Sequence, residues 1–394
     1  MRKKKILRIL NRFNVGGPVY NATYLTKYLN PNYFSTTLIG GIHEEHEESA
    51  RYILENEKIN YKEIKYMRRK ISPFYDLISL IHIIYIIYKT KPDIIHTHAA
   101  KAGLLGRFAS LFYFKKVKLI HTYHGNVFEG YFSNTINKII VSIERYLASK
   151  SDKIIAISRI QKIDLVNKYL ICDESKIEVI PLGFDLKKFS NNIKNKRNLI
   201  RKKYNISNEE VLISIVGRVV PIKNHKLFID VFNYCKLRTN VPIKALIIGD
   251  GSEMEDLINY TNENGLSFSY KKIIDNYDVL FCSWQRDIDY FLAASDIVAL
   301  TSHNEGTPVS IIESMACGKA SISTNVGGVS DIIENFKSGI VSNCSVKEFG
   351  NHLLKLINDE NLRTELGVNA KSRSLELFNY NVLVNNVEKL YKSI

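Results

Sequence analysis

Two glutamates eight residues apart, Glu305 and Glu313, sit in the stretch DIVALTSHNEGTPVSIIESMACG, and their spacing points to polyol chemistry. A carboxylate offers two acceptor oxygens, so a pair of them on one corner of a fold can hold neighbouring hydroxyls of a sugar. The pattern around them supplies that corner. Residues 296–301 are apolar and predict a buried strand, and 302–307 predict a polar turn with Gly306 as its flexible point. Pro308 is expected at the first helical position, with the helix stopping at 317–318. Amides of 307–310 then lie at a helix N-terminus, where an anion is favoured.

The rest of the chain repeats the same construction. Strands are expected at 6–10, 35–40, 93–97, 118–122, 153–157 and 177–180, with helices at 76–89 and from 17 to 29. Residues 77–88 predict a buried helix. A polar, lysine-rich segment at 187–203 reads as a linker with an opening helix. The alternation then restarts, with strands at 211–216, 244–248, 278–281 and 320–323. Strand–helix alternation twice over predicts an α/β protein of two doubly wound, Rossmann-like domains. His98, His124, Arg218, Ser283, Glu305 and Gly327 all fall just after strands. In open parallel sheets those carboxyl ends share one edge, so two edges facing across a cleft would gather them.

Composition narrows the class. The 394 residues exceed one comfortable core, and 45% hydrophobic with 24% charged residues is ordinary for a globular protein. No stretch approaches the roughly 20 apolar residues of a membrane span, and the basic start is too short in apolar run for a signal peptide, so a cytoplasmic address is expected. Cys172, Cys235, Cys282, Cys317 and Cys344 lie far apart, which suits reduced thiols, and no metal-ligand spacing occurs. The formal charge is +15, and residues 1–185 carry 29 Lys+Arg against 17 Asp+Glu, a net of +12, leaving +3 for the remainder. A basic first half suits an anionic partner such as phospholipid head groups or a phosphorylated substrate. Aromatic spacing lacks a stacking platform, so nucleic acid is the least supported partner.

The ordered set of motifs resembles a known family. Glu305-Gly-Thr-Pro-Val-Ser-Ile-Ile-Glu313 resembles the E-x7-E motif of retaining glycosyltransferases of family 4, which have the GT-B fold. Asn14-Val-Gly-Gly-Pro18, His96-Thr-His-Ala-Ala-Lys-Ala-Gly103, His121-Thr-Tyr-His-Gly125, Gly217-Arg-Val-Val-Pro-Ile-Lys223 and Thr324-Asn-Val-Gly-Gly-Val-Ser-Asp331 extend the match over nearly the whole chain. The resemblance implies an N-terminal acceptor-binding domain at 1–186 and a C-terminal donor-binding domain at 187–372. A last helix at 373–394 is expected to pack back toward the first domain. It also implies that Arg218 and Lys223 clamp the donor diphosphate, that Glu313 binds ribose hydroxyls, and that Glu305 contacts the transferred sugar. Gly306, Thr307, Pro308 and Val309 would line the same donor site, and Gly16 and Gly17 its phosphates. His124 matches the histidine near the reacting carbon. The base would lie near Ser283, Trp284 and Gln285, although a serine replaces the glycine usual before the tryptophan. Asn14, His98 and Lys101 are carried as acceptor-side residues, while His96, His98 and His121 also read as packing or loop residues.

The function implied is a retaining, metal-independent hexosyltransferase using a nucleotide sugar, expected to be UDP-linked, and a lipid-linked or saccharide acceptor in surface-polysaccharide synthesis. No separate cofactor is expected, because the nucleotide sugar is a substrate. Peripheral contact with an anionic membrane surface would fit the basic first half. A nucleotide-sugar 2-epimerase on the same fold stays open. An NAD(P)-dependent oxidoreductase is a weaker rival, since G-x-G-x-x-G and its downstream acidic partner are missing. A binding protein with a decayed site is the third alternative.

Overall fold

The computed structural model describes residues 2–44, 49–68, 70–125, 134–270 and 276–394. The chain divides into two compact units, Met1–Phe184 with Phe378–Ile394, and Asp185–Leu377. Each is built on a seven-stranded parallel sheet with helices on both faces. The strands of the first unit are β1 (Lys4–Arg12), β2 (Phe34–Gly41), β3 (Tyr61–Ile64), β4 (Ile94–His98), β5 (Lys118–Tyr123), β6 (Lys153–Ala156) and β7 (Ile177–Val179). They are ordered β3-β2-β1-β4-β5-β6-β7. Those of the second are β8 (Val211–Val216), β9 (Ile243–Ile248), β10 (Phe268–Tyr270), β11 (Val279–Ser283), β12 (Ile297–Leu300), β13 (Ala320–Thr324) and β14 (Ile340–Ser342). Their order is β10-β11-β9-β8-β12-β13-β14.

Both orders reverse once, between β1 and β4 and between β8 and β12. The loops leaving those strands diverge to opposite sides and leave a crevice, the usual ligand position in such sheets. The expected strands all form. β3, β10 and β14 were not anticipated. They are edge strands of three or four residues, too short to carry a periodic signal.

Alternation of side chains decides what covers each face. In the first unit Leu7, Ile9 and Ile95 meet Ile83 and Ile87 of helix Pro73–Thr90 on one side. Ile6, Ile94 and Ile120 meet Leu383, Val387 and Tyr391 of helix Tyr380–Ser393 on the other. Each such side chain contributes about 1.5–3 kcal/mol of apolar burial. In the second unit Ile213, Ile215 and Phe281 pack with Phe228, Phe232 and Phe349, while Leu212, Leu246 and Leu280 pack with Ile200, Tyr204 and Phe291.

Three expectations are revised. The chain returns to the first unit at Phe378 rather than at residue 373, because helix Glu360–Leu377 buries Leu366 and Ala370 in the second. The lysine-rich segment is not a free linker: Lys196 pairs with Asp289 at 2.7 Å, and Arg197 and Arg201 both reach Asp296, at 2.8 and 2.5 Å. Helix Pro73–Thr90 is buried along one side only. Leu77, Ile81 and Tyr85 on the other side are more than half exposed.

Candidate active site

In the second unit, the loops after β8 and β12 meet at the crossover. Thr301 Oγ1 donates to the carbonyl of Asn224 at 2.9 Å, and the His303 amide donates to Ile222 O at 2.8 Å. These bonds bring Lys223 against Glu305: Nζ lies 2.5 Å from Oε1, and Ser302 Oγ donates to the same oxygen at 2.6 Å. One carboxylate oxygen is thereby occupied. Oε2 takes no hydrogen bond from a described residue, and two of the three ammonium donors remain.

Glycine is required around this pair for a geometric reason. Gly327 has φ +49°, and a Cβ there would lie 1.7 Å from the carbonyl oxygen of Glu305. The Gly328 amide donates to that same oxygen at 3.2 Å, so the turn after β13 clamps the Glu305 backbone. Residue-level reading noticed the glycines but assigned them no task. Ser302 was also missed, since one serine in a polar turn carries no signal.

Pro308 is the N-cap of helix Val309–Ala316 rather than its first residue. The amides of Gly306, Thr307 and Val309 donate to no described backbone acceptor. They are open for an anion at the positive end of the helix. Glu313, half-buried within this helix, is pushed up to about 7 by burial, with Lys188 opposing the shift. Arg218 is exposed on the loop after β8, and its side chain makes no hydrogen bond or ion pair to a described residue.

Ser283 ends β11 with φ +54°, a left-handed conformation that costs a non-glycine residue about 1–2 kcal/mol. Its hydroxyl donates to Asp250 Oδ2 at 2.6 Å, which offsets part of that cost. This accounts for the serine in the place of a glycine: the backbone keeps the shape glycine would favour. Gln285 Nε2 donates to Cys282 O at 2.5 Å, and Trp284 is 63% exposed at the same corner.

In the first unit, Gly16 caps helix Gly17–Tyr28 in extended conformation, and a Cβ at Gly16 would meet only the ring of Pro18 at 3.8 Å. The protein's own packing therefore leaves room beside this amide. Asn14 forms an isolated bridge with Ser49. His124 follows β5, and its Nε2 lies 3.0 Å from His98 Nδ1; burial pushes His124 down to about 3.

Two of the acceptor-side expectations meet a different arrangement. His98 is fully buried behind His124 and also touches Arg8, so it cannot face a ligand directly. Lys101 is neither exposed nor free: Nζ sits 2.6 Å from Asp76 and donates to the carbonyls of Arg68 and Lys70 at 2.9 and 2.7 Å. Two of its donors go to backbone carbonyls and its charge faces the Asp76 carboxylate. His121 bonds Thr97 at 2.9 Å, and His96 bonds Thr122 at 2.7 Å, both as packing residues.

Two seven-stranded parallel sheets, each with a single reversal of strand order, define an α/β protein of the GT-B type. Residues 15–188 match the model described as Glycosyltransferase Family 4, and residues 196–373 that of Glycosyl transferases group 1. The chain is 31% identical over 326 residues to the UDP-Gal:alpha-D-GlcNAc-diphosphoundecaprenol alpha-1,3-galactosyltransferase of Escherichia coli, covering 82% of this chain and 81% of the relative. It is 28% identical to the capsular polysaccharide biosynthesis glycosyltransferase CapM of Staphylococcus aureus, covering 83% of each. In fold it resembles HepE of Anabaena, solved in complex with UDP, with a TM-score of 0.82 at 20% identity over 99% of this chain and 100% of that one. The chain belongs to glycosyltransferase family 4.

Proposed function

We propose that this protein is a retaining glycosyltransferase that moves a hexose or N-acetylhexosamine from a UDP-sugar to a lipid-linked diphosphate sugar in surface-polysaccharide synthesis. The observation that carries the reading is the Lys223–Glu305 pair beside the open amides of Gly306, Thr307 and Val309. The remaining ammonium donors and the Arg218 guanidinium suit a diphosphate, and Glu305 Oε2 suits a sugar hydroxyl. As the bond from sugar to diphosphate breaks, negative charge grows on the leaving oxygen. Fixed cations and helix amides stabilise it without reorganising, so no metal is needed in this scheme. The acceptor hydroxyl attacks from the face the diphosphate leaves and gives its proton to that departing oxygen, which preserves the anomeric configuration. In this reading Glu313 binds the ribose hydroxyls.

Support for the donor and acceptor comes from relatives. The Escherichia coli enzyme is named for UDP-Gal and a diphosphoundecaprenol acceptor. A Campylobacter jejuni relative, 24% identical over 84% of this chain and 85% of its own, is an N,N'-diacetylbacillosaminyl-diphospho-undecaprenol alpha-1,3-N-acetylgalactosaminyltransferase. The first unit also carries a feature suited to a lipid-linked acceptor. A groove of about 600 Å³ is lined by Leu77, Leu80, Leu104, Phe108, Ile143 and Tyr146, and Phe74 and Phe114 beside these helices are 70% and 90% exposed. Lys150 is exposed with Nζ 5.7 Å from the ring centroid of Tyr146, and Lys115 and Lys116, also exposed, follow Phe114 in the chain. Apolar residues with a basic rim suit an anionic bilayer surface, where each lysine contributes about 1 kcal/mol. Among the described residues, no helix is long and apolar enough to cross a membrane.

The test is release of free nucleotide from a panel of UDP-, GDP- and ADP-sugars with EDTA present. Turnover of one UDP-sugar, abolished in Lys223→Ala and Glu305→Ala, is expected. Turnover that requires a divalent cation, or survives both substitutions, would overturn the scheme. Sedimentation with vesicles containing phosphatidylglycerol, weakened by Phe114→Asp and by salt, is expected for the membrane surface.

A further inference from the structure

Arg8 is an arginine buried to 0% exposure in the middle of β1, and no carboxylate pairs with it among the described residues. Register places it beside His96, two residues before the Leu10–His98 pair, on the face covered by helix Tyr380–Ser393. Its Nη1 lies 3.3 Å from His98 Nε2 and 3.4 Å from His96 Nδ1. His98 Nδ1 in turn lies 3.0 Å from His124 Nε2. Such a chain of imidazoles is ordinarily ambiguous, because each ring can donate from either nitrogen. Here one end is fixed, since a guanidinium only donates.

The consequence runs outward from Arg8. His98 Nε2 must accept, so the His98 proton is on Nδ1 and is donated to His124 Nε2. His124 Nε2 then accepts, which leaves the His124 proton on Nδ1. That nitrogen is buried and has no partner among the described residues, which leaves an unpaired donor for a group the described fold does not supply. The same logic settles His96: Tyr391 Oη donates to Nδ1 at 2.6 Å, and Nε2–H donates to Thr122 Oγ1 at 2.7 Å. We propose that Arg8 and His98 are positioning residues that hold His124 as a neutral imidazole with its proton on Nδ1, so that it meets substrate as a hydrogen-bond donor and not as a base. The role toward substrate rests on the transferase reading above; the tautomer does not.

The surroundings oppose a charged His124. Among the described residues, the titratable groups facing this chain are Arg8 from β1, His96 and His98 from β4, His121 from β5 and Tyr391 from the last helix. None is a carboxylate. Arg107, beyond His121, is already paired with Glu144 at 2.6 Å. Protonating His124 would add a cation to a buried one, and would turn the imidazole chain so that His98 Nε2–H opposed the guanidinium.

The experiment is a multiple-bond proton–nitrogen correlation spectrum of the full chain labelled at histidine with nitrogen-15, without substrate, from about pH 5.5 to 8. His124→Gln assigns the resonance. The expected wild-type pattern is a neutral ring with the proton on Nδ1 that does not titrate. Arg8→Met is expected to release the lock, giving an Nε2–H or mixed pattern, while Arg8→Lys, which retains a cationic donor, restores Nδ1–H. In steady-state assays Arg8→Met should lower kcat by about 10- to 100-fold with the donor KM unchanged, the signature of a misdirected donor rather than a lost contact. An Nε2–H or charged His124 in the wild type, or an unchanged Nδ1–H pattern in folded Arg8→Met, would overturn the proposal. The wild-type spectrum decides even where Arg8→Met does not fold. Because the tautomer is read without turnover, its failure is separable from failure of the transferase reading.

Discussion

Replacing Glu313 with glutamine should stabilise the second unit above neutral pH while weakening donor binding. The carboxyl is raised from 4.5 to about 7 because burial disfavours its charge. A group raised in this way favours the folded state fully below its unfolded value, and that advantage is lost as pH rises through about 7. At pH 8 the folded protein therefore carries the cost of a half-buried carboxylate. At 1.36 kcal/mol per unit the shift amounts to about 3 kcal/mol, and residual exposure reduces it to about 2. Glutamine removes the charge at similar volume, so unfolding at pH 8 should shift upward by about 4–8 °C, with little change at pH 4.5. Binding should move the opposite way. A carboxylate holding ribose hydroxyls contributes about 1.5–3 kcal/mol, so UDP affinity measured by calorimetry at pH 8 should fall by about 10- to 150-fold. Scanning calorimetry at both pH values, beside the titration, reads both effects. A variant no more stable at pH 8 would refute the burial argument, and one binding UDP normally would refute the ribose assignment.

Other consequences follow from the same geometry. Gly327→Ala should cut turnover on the order of 100-fold, because its Cβ would enter the Glu305 carbonyl and push that loop from Lys223; normal kinetics would show the clamp to be dispensable. Ser283→Gly should change stability by less than about 1 kcal/mol, since relief of φ +54° and loss of the Asp250 bond oppose one another. A large loss in denaturant titration would mean that the bond dominates. In the first unit, Glu144→Ala should destabilise by about 3–5 kcal/mol, because Arg107 and the Tyr123 hydroxyl both converge on Glu144 Oε2 at 2.6 Å inside the core. A small change in the same titration would mean that water satisfies the guanidinium left unpaired in the core.

Much of the local structure around Glu305 and Glu313 was legible because its signals are local. The strand–turn–helix around Glu305 and Glu313 lies within one short stretch, and parallel strands place their following loops on a common edge whatever the details. Pairing across the chain was not legible. Nothing in residues 217–223 states that Lys223 will lie on Glu305, since that contact depends on the register of β8 against β12. The partners of Lys101 were hidden for a similar reason: a lysine after a strand looks free until Asp76 and two carbonyls from a distant turn surround it. The exposed side of helix Pro73–Thr90 was hidden because an all-round apolar pattern cannot say which side lacks a neighbour. Arg8 was the hardest to read. A charged residue inside an apolar strand pattern looks like surface, and its meaning appears only once β4 and the last helix place imidazoles and a phenol around it.

The most direct test of the central claim is the configuration of the bond that is made. An α-linked UDP-sugar identified by nucleotide release, incubated with an undecaprenyl-diphosphate sugar, gives a product whose anomeric coupling is read by proton NMR. The account requires an α linkage, formed on the face the diphosphate leaves, and its disappearance in Lys223→Ala and Glu305→Ala. A β linkage would place the attacking hydroxyl opposite the leaving group, and the mechanism assigned to Lys223 and Glu305 would be wrong.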